Sequence, residues 1–201
     1  MAFCSVSPLI EAMIIISSSL CPAAPQKPPS ASVPPALYER KGVCPFEGCV
    51  YREWTANRDI DLFDRPNGKQ VSALKKGAKV EGLDGIVYTV PNKVRIVYPH
   101  KTYKVGDVFY TLTYLGEGFS EVWFDGAVYV EDISALPFEG VGHARPHPQK
   151  CTQPSPECWW SLDSPVRKRT WWVRIKTSGG LIAWAISDGN FDNQDALAGK
   201  P

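Results

Sequence analysis

The run Thr170-Trp171-Trp172-Val173-Arg174-Ile175-Lys176, the linker Thr177-Ser178-Gly179-Gly180 and the return Leu181-Ile182-Ala183-Trp184-Ala185-Ile186 decide the fold. Both arms are rich in β-branched and aromatic residues. A short polar linker with paired glycines joins them and can take the positive φ angles of a tight turn, so the stretch reads as a β-hairpin. Alternation assigns the faces of its first arm. Trp171, Val173 and Ile175 form a core face, and Trp172, Arg174 and Lys176 form a mixed, outward face with a ring between cations. On the return arm, Trp184 is expected in the core.

Working outward, turn chemistry dominates. The chain has 201 residues with 18 Pro, 16 Gly and 7 Trp, which favours short strands and small cores filled by large rings. Asp59 to Phe63 alternates like a strand and Pro66-Asn67-Gly68-Lys69 is a turn. Val71 to Leu74, Lys75-Lys76-Gly77 and Ala78 to Val80 read as strand, turn and strand. Ile86 to Val90 and Lys93 to Val97 add further strands, and Tyr98-Pro99-His100 marks a junction. Beyond it, Asp107 to Leu115, Ser120 to Phe124 and Ala127 to Val130 are separated by Gly116-Glu117-Gly118 and Asp125-Gly126, the latter a strong hairpin signal.

The hairpin resembles the last hairpin of bacterial SH3-like domains, in which a Trp-x-Lys/Arg-Val strand, a glycine turn and a Gly-Trp-Val strand recur; here Ala183 takes the place of that last glycine. Val71 to Val80 is similar to the family's strand, Lys-Lys-Gly, strand element. Cys44-Pro45-Phe46-Glu47-Gly48-Cys49, followed by Tyr51 and Trp54, resembles the opening of exported members. The expected architecture is all-β, with tandem small SH3-like barrels, loop-rich and with local disulfides. It divides into a leader (1–24), a Pro-rich linker (25–42), a first barrel (43–98), a second barrel (103–192) carrying a Pro- and Cys-rich insertion (134–169), and a tail (193–201).

Residues 1–24 carry an apolar run from Ala12 to Ile16 followed by small residues, as a secretory leader does, although no Lys or Arg precedes the run. Export to the periplasm or beyond is expected. Lipid anchoring through Cys21 is disfavoured by Leu20 before it, and the run is too short for a membrane span. The cysteines agree with an oxidising compartment. Cys44 and Cys49 close a short loop that Pro45 and Gly48 can turn, with four residues between them where a redox motif has two. Cys151 and Cys158 are expected to form a second local bridge. Their alternative is a zinc site with His143 and His147, against which stand Pro146 and Pro148, breakers of the helix that usually presents such histidines.

A formal charge of +1 argues against a dedicated nucleic-acid binder, whose affinity comes mostly from excess cations on phosphate. Arg167-Lys168-Arg169 beside Trp172, with Trp160 near in sequence, is the best candidate for ligand contact, set against the plainer reading of buried rings and a solvated, charged strand edge. Asp188, Asn190, Asp192 and Gln194 alternate like half of a calcium loop that lacks its closing carboxylate, and a short helical turn through Leu197 is the preferred reading there. Glu117, Glu121 and Asp125 sit by turn glycines, and no catalytic motif is present. No catalytic residue, cofactor or metal is expected. The chain reads as a non-catalytic binding module whose partners, by the family resemblance, are peptidoglycan or an envelope protein or peptide. Protein–protein interaction and an unrecognised wall hydrolase are the alternatives.

Overall fold

A computed structural model describes residues 33–132, 152–162 and 169–197. The leader and most of the linker lie outside the described residues, as do His143, His147, Cys151, Arg167 and Lys168. Among the described residues every regular element is a strand. In chain order these are β1 (Tyr38–Lys41), β2 (Glu53–Ala56), β3 (Ile60–Phe63), β4 (Gln70–Leu74), β5 (Lys79–Thr89), β6 (Asn92–Ile96), β7 (Val108–Gly116), β8 (Phe119–Phe124), β9 (Ala127–Asp132), β10 (Trp160–Leu162), β11 (Arg169–Thr177), β12 (Ile182–Ser187) and β13 (Phe191–Asp192). The all-β, loop-rich class is what the residues build.

Two sheets form. The larger runs β13-β2-β5-β11-β12-β3-β4, with β1 also on β5; the smaller runs β10-β6-β7-β8-β9. All pairings are antiparallel. The expected hairpin is present as β11 and β12, with Trp171 opposite Ser187 and Lys176 opposite Ile182. Its location in the fold differs from expectation. Instead of closing the later barrel, β11 pairs along nearly the whole of β5, from Arg169 opposite Thr89 to Thr177 opposite Val80.

The units are therefore nested, and three boundaries move. The smaller sheet leaves the larger one after β5, at Val90-Pro91, and β11 returns to the same place. β6, assigned to the first barrel, belongs to the inner unit because Asn92 to Arg95 pair with β7. Tyr98-Pro99-His100 is no junction; His100 pairs with Tyr103 inside that unit and its ring stacks on Trp159 at 4.0 Å. Within the expected insertion, β10 is a strand of the inner sheet, with Trp160 opposite Ile96. β1 falls in the expected linker and pairs with β5 instead.

Each sheet has its own core. Around Trp54, Leu62, Val87, Trp171, Val173 and Ile175 the outer unit is buried. Val94, Ile96, Phe109, Val122, Trp159 and Leu162 fill the inner one. The long strand β5 tolerates Gly82 and Gly85 because indoles lie against them. A Cβ on Gly82 would meet the Trp54 ring at 2.7 Å, and one on Gly85 would meet Trp171 Nε1 at 2.4 Å. These glycines give up local strand preference so that two tryptophans can cross the sheet closely.

The face assignment of β11 holds, yet Trp172 is not outward in the sense of being available. It is 3% exposed, with Phe63 edge-on to it at 5.3 Å and Ile86 and Ile186 as cross-strand neighbours. The sheet is covered on both sides at that position. Trp184 also departs from expectation. Ala183 and Ala185 supply the core face of β12, so alternation places Trp184 on the opposite, half-buried face, opposite Arg174 and Phe63.

Candidate functional site

Of the expected contact cluster, Arg167 and Lys168 lie outside the described residues, and the other three members are buried. Trp160 is buried in the inner core and Trp172 in the outer sheet. Arg169 is 3% exposed, and burial pushes its guanidinium pKa down to about 10, against an opposing effect of Tyr114. Thus the rings and Arg169 support packing. Their heptad-free, strand-rich context gave no way to see that both sheet faces would be covered.

The alternatives resolve in the same way. Cys44 and Cys49 form the expected disulfide. Cys158 is disulfide-bonded, which removes it as a zinc ligand; Cys151 lies outside the described residues. Among the described residues no three His, Cys, Asp or Glu side chains gather as metal ligands. The half calcium loop is spent on structure, since Asn190 Nδ2 donates to Ile186 O at 2.9 Å, Asp192 accepts from Asn57, Asp188 pairs with Arg58 and Gln194 bonds Ser187. No helical turn forms there; the Asp195 carboxylate accepts from Leu197 N–H instead. Glu117 and Asp125 stand in the turns at opposite ends of β8, on the order of 20 Å apart at about 3.3 Å per residue. Glu121 is buried between them and engaged by Tyr38 Oη at 3.1 Å and Arg40 Nε at 3.2 Å.

What the fold does create is an open groove of about 810 Å³ where the two units meet. One wall is the disulfide loop. Its chain turns through Cys49 N–H to Phe46 O at 3.2 Å, and the C-terminal segment pins it through Val50 N–H to Gln194 O and Ala196 N–H to Gly48 O, at 2.9 and 2.6 Å. Arg52 adds bonds to the Asn193 and Asp195 carbonyls. The expected tail therefore begins as a structural strap.

The other wall is the tip of the β7–β8 hairpin with Val130 of β9. Gly116, Glu117 and Gly118 all have positive φ, at 104°, 51° and 82°, so the turn folds tightly back and brings Leu115 and Phe119 to the groove. Tyr114 Oη bridges the walls, accepting from Gly118 N–H at 3.1 Å and donating to Glu47 at 3.4 Å. Val43, Phe46, Leu115, Phe119, Val130 and Leu197 supply the apolar lining, Glu47 and Glu117 the charge. Phe119 and Val130 remain 44% and 57% exposed. A large exposed ring beside an exposed valine on one concave surface marks an interaction site more than a packing defect.

The sequence singled out the Cys44 to Cys49 loop as a staple and the Gly116 to Gly118 turn as a turn. Their meeting is a tertiary fact. The unusual feature readable in advance was Phe119 directly after a glycine turn, where a core ring is not needed.

Two tests bear on the loop. Removing the disulfide with Cys44→Ser and Cys49→Ser is expected to cost about 2 kcal/mol, the loop-entropy value for so short a ring, seen as a lower urea midpoint; an unchanged midpoint would show that the strap alone fixes the loop. Tyr51 donates to Val43 O at 2.7 Å, and burial pushes its phenol up to about 12 from an ordinary value of 10.0. Since the folded value lies above the unfolded one, this contribution is complete below pH 10 and is lost as pH climbs through about 12. Urea midpoints measured across that window should fall, and Tyr51→Phe should flatten the fall.

No family model, no curated protein and no solved structure matches the chain. Among the described residues no helix is long and apolar enough to cross a membrane.

Proposed function

We propose that this protein is a non-catalytic binding module of the cell envelope, built on an SH3-like barrel interrupted by a second β unit, and that its groove takes a peptide ligand. The open apolar groove between the disulfide loop and the β7–β8 hairpin carries this reading. Its walls are held by backbone hydrogen bonds and a disulfide, so the surface is preorganised, which lowers the ordering cost of binding. The carboxylates near it are held apart or engaged. The SH3-like part rests on the Lys75-Lys76-Gly77 turn and the Trp-bearing hairpin, the two motifs resembling that family, which lie in one sheet through the β5–β11 pairing. Export is supported by the Cys44–Cys49 bridge, a bond that persists in oxidising compartments.

A peptide ligand has two sources, an envelope protein and the stem peptides of the wall polymer. Co-sedimentation with purified sacculi, alongside titration with free peptides, distinguishes them. Pelleting that Phe119→Ala abolishes, with no fragments released, is the expected wall result. Binding of free peptides without pelleting assigns the ligand to a protein. Release of wall fragments would overturn the non-catalytic reading, and absence of all binding would overturn the groove.

A further inference from the structure

The groove is continuous with a sheet edge that has no partner strand among the described residues. β9 is the terminal strand of the inner sheet, and Val128, Tyr129 and Val130 are 41%, 46% and 57% exposed. Native sheets usually shield such an edge with charge, proline or a covering element. Here three consecutive apolar residues stand on it. Register places Val130 opposite Glu121 and Asp132 opposite Phe119, so alternation puts Val128, Val130 and Asp132 on one face with Phe119, the face that lines the groove.

The charged residues that line the groove have one sign. Glu47 and Glu117 line the groove on its two walls, and no Lys, Arg or His lines it. Asp132, exposed, adds a carboxylate on the same sheet face. Arg40, from β1 of the other sheet, is held by the buried Glu121 at 3.2 Å. An anionic ligand would meet uncompensated carboxylates, whereas a lysine or arginine could lie between them with its methylene stem along Phe119 and Phe46.

Resting on the peptide-binding reading above, we infer that the ligand is an extended, positively charged peptide segment. It adds as a strand to that edge of β9 and places a lysine or arginine between Glu47 and Glu117. Backbone pairing supplies sequence-independent affinity, and the groove reads alternate side chains. The occupant is a cationic strand.

The test uses short labelled peptides of alternating Val/Lys, Val/Gln and Val/Glu, plus the Val/Lys peptide N-methylated at alternate residues, titrated into the full chain at low and high salt. Val/Lys should bind best and Val/Glu worst. Raising salt should weaken Val/Lys most. Glu47→Gln and Glu117→Gln should each weaken Val/Lys by up to about fivefold, the range of an exposed ion pair, and leave Val/Gln unchanged. Both side chains are exposed, so these variants fold. N-methylation should abolish binding.

Equal binding of the three unmethylated peptides, or an unchanged Val/Lys affinity in both variants, would overturn the cationic assignment while leaving the peptide-binding reading in place. Unimpaired binding of the N-methylated peptide would overturn strand addition. If no peptide and no sacculus binds, the peptide-binding reading fails and takes this inference with it.

Discussion

Trp171→Ala should remove roughly 3–5 kcal/mol of stability, the usual range for deleting a buried large aromatic. The ring is 1% exposed and has Phe46, Tyr51 and Trp54 around it at centroid distances of 6.0, 6.2 and 6.1 Å. It also lies against Gly85, where no side chain can swing in to fill the space. The cavity therefore cannot collapse, which places the loss toward the upper end. Against a total domain stability of about 5–15 kcal/mol, that is a large fraction, and at the low end of the range it populates the unfolded chain at room temperature. Urea denaturation followed by near-UV circular dichroism reads the effect. Trp184→Ala is the control, because its ring is only half-buried on the opposite face, and it should cost clearly less. Equal losses for the two rings would mean that the outer face of the hairpin is packed as tightly as the core.

Excising the inner unit should leave a folded outer unit. Thr89 and Arg169 are direct cross-strand partners, so replacing residues 90–168 with a short Asn-Gly turn joins β5 to β11 as an ordinary hairpin. The outer core contains only residues from before the excision and after it, Trp54 to Val87 and Trp171 to Phe191. What is lost at the seam includes the Glu121 contact with Tyr38 and Arg40 and the bond from Tyr114 to Glu47, and water replaces them once those side chains are exposed. The shortened chain should unfold in one cooperative transition with an m-value lower by roughly a third to a half, in line with the smaller surface it exposes. It should also lose every groove-dependent binding signal, since Leu115, Phe119 and Val130 leave with the excised unit. A chain with no cooperative transition would show that the outer unit depends on its insert.

Local chemistry was legible in the residues. The β11–β12 hairpin, the Asp125-Gly126 and Gly116-Glu117-Gly118 turns and the Cys44–Cys49 bridge each depend on neighbours in sequence, where spacing and turn preference carry the information. Partner choice across the chain was not. An antiparallel hairpin such as β11–β12 can close a barrel beside β9 or beside β5, and its alternation pattern is the same in either place. Only the pairing of Arg169 to Thr177 with Thr89 to Val80 tells them apart. Trp172 illustrates the same gap. Period-two alternation states which side of the strand a ring occupies, and burial is decided by what other strands bring to that side, here Phe63 from β3. The groove was hidden for a related reason, because its walls come from segments that meet only after the inner unit is inserted.

The nesting also sets an order of events during synthesis. The inner unit has all of its core once Leu162 has emerged, whereas the outer core waits for Phe191. Until β11 arrives, β5 has partners on one side alone, β1 and β2, and its other edge stands open while a complete domain is made and folded beside it. A half-synthesised or stalled chain is therefore the form most prone to capture a foreign strand, at the edge that the mature protein seals last.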